Sequence, residues 1–157
     1  MKTTLTTFVL SLIFIAAANA RLGETYDECV NRYGPLREKK GDAINPQFMF
    51  QKDGIIVGIN FLNGKAAQLS FRKHDFFLDS DVQKLLDVNS GGSKWKFDAV
   101  ETQRQLAPDI YNKQEYFTRE DGGAVAEYLV LQTRVEFVKI VSTEYKKAIS
   151  AKQLQGF

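Results

Sequence analysis

From Gln47 to Lys73 apolar residues fall on alternate positions: Phe48 and Phe50, then Ile55, Val57, Ile59 and Phe61, then Ala67, Leu69 and Phe71. A period of two marks strands with one buried face. Asp53-Gly54 and Asn63-Gly64 punctuate the run. A two-residue type I′ turn at Asp53-Gly54 sets Phe50 opposite Val57 and Phe48 opposite Ile59, so both apolar sets share a face. The same turn at Asn63-Gly64 would set Ile59 opposite Gln68 and Val57 opposite Ser70, mixing the faces. Parity therefore predicts a three-residue loop, Leu62-Asn63-Gly64, with a G1 bulge at a left-handed Gly64. That loop pairs Ile59 with Ala67, Val57 with Leu69 and Ile55 with Phe71. The product is a three-stranded meander with one greasy face.

Two helical patterns accompany such strands. Tyr26, Cys29, Val30 and Tyr33 recur at spacings of three and four, with Thr25 and Glu28 placed as a capping box and Gly34-Pro35 as the stop. After Phe76-Phe77-Leu78, Asp79-Ser80 can cap a second helix carrying Val82, Leu85, Leu86 and Val88, ending at Asn89-Ser90-Gly91-Gly92. Lys113 to Glu120, Ala124 to Gln132 and Arg134 to Ser142 then read as three more strands around the Asp121-Gly122-Gly123 turn. Helix plus meander thus occurs twice. The predicted fold is α+β: two tandem units, about 22–78 and 79–142, with the helices packed on one face of the sheet. The second unit carries an extra stretch between Lys94 and Tyr111, and the tail 143–157 reads either as a fraying helix or as disorder.

The chain's start changes the compartment. Lys2, an apolar run from Phe8 to Ala18 and the small-x-small triplet Ala18-Asn19-Ala20 form a signal peptide, with cleavage after Ala20 and Arg21 as the new N-terminus. The apolar run is about half of the roughly 20 residues that a spanning helix needs, so no stable membrane span is expected after cleavage. The expected product, residues 21–157, is a single exported domain, periplasmic or secreted.

Composition narrows the chemistry further. Of 157 residues, 21 are Lys or Arg and 19 Asp or Glu, a net charge of +2 without a polybasic run, so a nucleic-acid partner is not expected. One His and one Cys leave too few N and S donors for most transition-metal sites; no metal and no cofactor is expected. Cys29 also cannot form an internal disulfide, and it reads as a buried apolar residue. The covalent alternative is a small hydrolase with Cys29 as nucleophile and His74 as base, which requires the two within hydrogen-bonding reach. Another alternative is a structural envelope protein that self-associates through open strand edges. Asp79-Ser80-Asp81 lacks the ligand series of a calcium loop and reads as helix capping. Trp95, Tyr111, Tyr116, Phe117 and Arg119 cluster around the extra stretch; Trp, Tyr and Arg are the usual anchors of protein interfaces. Core packing is the competing role for Trp95. Trp95, Tyr111, Tyr116 and Arg119 are the candidate partner-binding residues, and no catalytic residue is assigned.

Gly23-Glu24-Thr25, Arg32-Tyr33-Gly34-Pro35, Asn63-Gly64-Lys65 and Asn89-Ser90-Gly91-Gly92 followed by Trp95 resemble a group of small exported bacterial proteins of unassigned function. More distantly, a short helix ending in Gly-Pro before an antiparallel meander is similar to the β-lactamase-inhibitor proteins and to the small lipoprotein of the outer-membrane β-barrel assembly machinery. The chain lacks the inhibitors' disulfide pairs and the lipoprotein's lipid-bearing Cys. The resemblance implies a non-catalytic module that binds a protein or a cell-envelope component, and it transfers no functional residue. It leaves the oligomeric state open.

Overall fold

The computed structural model describes residues 21–43, 45–104, 112–131 and 134–154; the signal-peptide reading and Tyr111 lie outside them. The described residues form the elements α1 (Tyr26–Tyr33), β1 (Glu38–Lys40), β2 (Gln47–Lys52), β3 (Ile55–Leu62), β4 (Lys65–Phe77), α2 (Asp79–Val88), β5 (Trp95–Phe97), α3 (Ala99–Arg104), β6 (Asn112–Arg119), β7 (Ala124–Leu131), β8 (Arg134–Ser142) and α4 (Thr143–Leu154).

All eight strands belong to one antiparallel sheet, in the order β1-β2-β3-β4-β8-β7-β6-β5. This corrects the expectation of two tandem helix-plus-meander units. The strands of the two halves fuse where β4 meets β8, with Leu69 opposite Ile140 and Phe71 opposite Val138. The physical reason lies in the strand edges: a free β4 or β8 would leave a long row of unpaired N–H and C=O groups beside apolar side chains, and pairing them satisfies both rows. The outer edges that remain, β1 and β5, are three residues each.

The helices do not share one face either. Cys29 and Tyr33 of α1 and Val82, Leu85 and Leu86 of α2 pack with Phe50, Val57, Ile59, Leu69, Phe71, Tyr128, Val138 and Ile140 in the main core. The tail is helical, and α4 lies on the opposite face, where Tyr145 and Ile149 meet Leu62, Ala67, Val125 and Val141. Short α3 closes the β6 edge beyond β5: Tyr116 donates its N–H to Thr102 Oγ1 at 3.0 Å and accepts from Asp98 N–H at 2.7 Å.

Local signals explain the local elements. Thr25 accepts from Glu28 N–H at 3.3 Å while Glu28 accepts from Thr25 N–H at 2.7 Å, the reciprocal box the spacing calls for. Asp53 and Gly54 both adopt positive φ, and Phe50 pairs with Val57 and Phe48 with Ile59. Helix α2 departs slightly from expectation: it starts at Asp79, and Asp81 caps it by accepting from Leu78 N–H at 3.2 Å and from Lys73 at 2.7 Å.

The second hairpin overturns the three-residue loop. Asn63 and Gly64 form a two-residue turn, both at positive φ, with Leu62 opposite Lys65. The parity conflict is resolved inside β4, where the register shifts so that Phe61 faces Ala66 but Asn60 faces Gln68. Ala67 is the extra residue. Ile59 therefore meets Leu69, and Val57 meets Phe71, two positions along from the expected partners. The bulge restores the apolar face and turns Ala67 toward α4.

Candidate functional site

Trp95, Phe117 and Arg119 come together on the face that carries α2. Trp95 and Arg119 are opposite one another in the β5–β6 ladder, and Phe97 faces Phe117. The half-buried Trp95 ring donates its Nε1–H to the Leu86 carbonyl at 2.9 Å. Arg119 donates to the Asn89 carbonyl at 3.1 Å and to Asp121 Oδ1 at 2.7 Å. The guanidinium thereby holds the Asp121 carboxyl below its ordinary range, helped by Gly123 N–H. A groove of about 490 Å³ runs beside them, lined by Gln83, Leu86, Asp87, Trp95 and Phe117. The loop 90–94 closes the end of α2 rather than opening a helix toward an anion, with Ser93 N–H donating to Ser90 O at 2.9 Å.

Tyr116 does not join this group. It is adjacent to Phe117 in β6, so it points to the other face, where it pairs with Glu127 in the ladder. There it helps line a cleft of about 230 Å³ under α4, with Gln68, Glu127, Lys139, Tyr145 and Ile149. Burial, and then the Glu127 charge, pushes its phenol up to about 12. Lys139 and Glu127 form an ion pair on the cleft floor. Beside them an amide cluster fixes the start of α4: Tyr145 donates to Asn45, and the buried Asn60 accepts from Gln68 at 2.9 Å and donates to Asn45 at 2.8 Å.

The sequence's covalent alternative finds its two groups apart. Cys29 is fully buried in the main core, and burial, reinforced by Glu24, pushes its thiol from 9.0 to about 12. His74 is exposed on β4, and strand parity places it with Gln68, Ser70 and Arg72 on the face away from α1. A thiol held neutral and a base across the sheet cannot exchange a proton. Among the described residues no group of three or more His, Cys, Asp or Glu is placed to hold a metal.

Sequence reasoning missed a further surface. Helix α4 covers only the end of its face, and beyond it lie Met49, Ile56, Phe76, Leu129 and Phe137, half-buried or exposed, with Ile56 at 40%. A trough of about 290 Å³ crosses this region, walled by Met49, Ile56, Arg72 and Phe137 and floored by Ser70 and by the Gln47 amide, which lies over Gly58. At its side two arginines lie on two phenylalanines across the β4–β8 seam. Arg72 of β4 sits over Phe137 of β8 at 5.9 Å, and Arg134 of β8 over Phe76 of β4 at 4.7 Å. These residues are far apart in the chain, and only the seam brings them together; no local spacing signals it.

No family model matches the chain, and no curated protein does. Solved structures that resemble it include two extracellular proteins. One is a cysteine-rich secretory protein from Staphylococcus aureus subsp. aureus Mu50, at 9% identity and a TM-score of 0.43 over 79% of this chain and 45% of that one. The other is an extracellular protein containing an SCP domain from Bacillus anthracis str. Ames, at 9% identity and a TM-score of 0.44 over 92% of this chain and 51% of that one. The chain spans about half the length of each. Among the described residues no helix is long and apolar enough to cross a membrane.

Proposed function

We propose that the chain is an exported, non-enzymatic binding module that takes a protein or cell-envelope partner on the uncovered part of its second sheet face. The observation that carries this reading is the trough between Met49, Ile56, Arg72 and Phe137, apolar walls on rigid strands around a polar floor of Gln47 and Ser70, which α4 leaves open. Apolar surface rimmed by arginine is the usual composition of an interface centre. Strands hold it without the ordering cost that a loop would bring to binding. Two features favour binding through the face rather than through strand addition: the outer strands are three residues long, and β1 carries only Glu38, Lys39 and Lys40. The sealed Cys29 thiol favours a non-catalytic role.

The test is capture from a native envelope fraction by the wild type, by Ile56→Glu on this face, and by Phe97→Glu, at an exposed position on the opposite face. The same species should be retained by the wild type and Phe97→Glu and lost with Ile56→Glu. Retention by Ile56→Glu together with loss by Phe97→Glu would move the interface to the Trp95 groove and overturn the reading.

A further inference from the structure

We infer that the fold holds a built site for the α-ammonium group that leader removal frees at Arg21: the buried Glu24 carboxylate receives it, so that processing itself stabilises the folded domain. This rests on the exported reading with cleavage after Ala20, and is independent of which face takes a partner.

Glu24 carries the argument. Its side chain is only 10% exposed, at the start of α1. Arg32 holds Oε1, with Nη2 at 2.5 Å and Nε at 3.0 Å. The other oxygen, Oε2, looks back along the chain: Arg21 N–H donates to it at 3.4 Å, beside Arg32 Nε at 3.3 Å and Cys29 Sγ at 4.0 Å. A buried carboxylate is costly unless charged donors serve it well. A single amide N–H at 3.4 Å is a poor donor; an ammonium in the same place is a good one.

The backbone around that nitrogen is already fixed. Leu22 N–H donates to Asn89 Oδ1 at 2.8 Å, Gly23 N–H to the Ala66 carbonyl at 2.7 Å, and Ala66 N–H to the Glu24 carbonyl at 2.7 Å. Thr25 forms a bridge with Lys65 of β4, and Leu22 packs on the main core. The Arg21 nitrogen therefore meets Oε2 with little ordering left to do. Hydrolysis of the Ala20–Arg21 amide consumes one water, leaves a carboxylate on Ala20, and turns that nitrogen into an ammonium with three donors and a full charge. Arg21 is exposed, so the new group keeps water on its outer side while one proton turns to Glu24.

The other titratable groups near the carboxylate are Glu28, Cys29, Arg32 and Tyr33 of α1, Lys65 of β4 and the Arg21 guanidinium; the end of α2 contributes the Asn89 amide. Burial keeps the Cys29 thiol and the Tyr33 phenol neutral to high pH. A free α-amine titrates at about 8, and pairing with Glu24 raises that value in the folded chain. The stabilisation is therefore complete below about pH 8 and is lost as pH rises through the raised value.

Two forms of the processed chain test this. One begins at Arg21; the other begins one residue earlier with Ala20→Gln, cyclised to pyroglutamate, so that the Arg21 nitrogen stays an amide and the terminus carries no charge. At pH 7 the first should melt about 2 to 4 °C higher, and the gap should close by about pH 10. The side-chain groups are common to both forms and cancel in the difference. In a Glu24→Gln background the two forms should melt together. Equal melting at pH 7, a gap unchanged at high pH, or a gap that persists in Glu24→Gln would overturn the assignment; should Glu24→Gln not fold, the pH series decides alone. The intact mass of the exported protein reports the cleavage separately. A chain starting at Arg21 whose two forms melt alike sinks the role of Glu24 only, whereas a chain starting elsewhere overturns the cleavage reading and the inference with it.

Discussion

Trp95 and Arg119 sit opposite one another in the β5–β6 ladder, and both side chains end on the last turn of α2, Trp95 on the Leu86 carbonyl and Arg119 on the Asn89 carbonyl. Asn89 in turn accepts from Leu22 N–H at 2.8 Å and donates to Leu85 O at 2.9 Å. The two residues thus clamp the end of α2, adding side-chain donors to the Leu86 carbonyl, which already accepts from Asn89 N–H at 3.0 Å, and to the Asn89 carbonyl.

This clamp has a measurable signature. Trp95→Ala is expected to destabilise the protein by about 2 to 3 kcal/mol, less than a fully buried tryptophan because the ring is half-buried. Arg119→Ala is expected to cost about 1 to 2 kcal/mol, the value of a charged hydrogen bond. Because both hold one helix end, the double variant should deviate from additivity by about 0.5 kcal/mol or more in a urea-unfolding cycle. Strict additivity would show that they act independently.

The thiol of Cys29 makes a second expectation. Its neutral form is favoured in the folded chain, where the thiol sits at about 12 against 9.0. The unfolded chain therefore loses this proton first, binds fewer protons than the folded one above pH 9, and stability falls as pH rises through that window. Burial also raises Tyr33 and Tyr128, which add to the fall at higher pH. Cys29→Ala should flatten the slope between about pH 9 and 10. At pH 8, iodoacetamide labelling of the wild type should proceed only at the rate of unfolding; rapid labelling of the native protein would contradict the burial.

Gly58 supplies the third. A Cβ there would stand 2.5 Å from Ser70 Oγ and 2.8 Å from the Gln47 side-chain amide, which itself donates to Ser70 Oγ at 3.1 Å across the glycine. Gly58→Ala is expected to cost about 2 kcal/mol by overpacking. Ser70→Ala in that background should recover part of the loss, read as the shift in the urea midpoint. A harmless Gly58→Ala would mean that the Gln47 bridge is dispensable.

Of the candidate site, the sequence placed Trp95 near Arg119 correctly in space, since a short edge strand and the strand beside it brought them into one ladder. It also placed Tyr116 in the same group, and there the alternation of a strand decides otherwise: Tyr116 and Phe117 must point to opposite faces. The Arg72–Phe137 and Arg134–Phe76 pairs had no local trace, because each joins residues about sixty positions apart through strands that the sequence reading assigned to separate units.

What the amino-acid order determined by itself was what depends on contacts within a few residues. The Thr25–Glu28 box, the Asp53-Gly54 turn with its Phe50–Val57 pairing, the three final strands and the apolar placement of Cys29 all follow from spacing and backbone preference. Alternation says which residues share a face, but not which strand lies alongside or whether a bulge will mend a parity conflict. The β4–β8 seam, the bulge at Ala67 and the seat of α4 were therefore decided only in the folded sheet, where distant backbone groups had to find partners and apolar faces had to find cover.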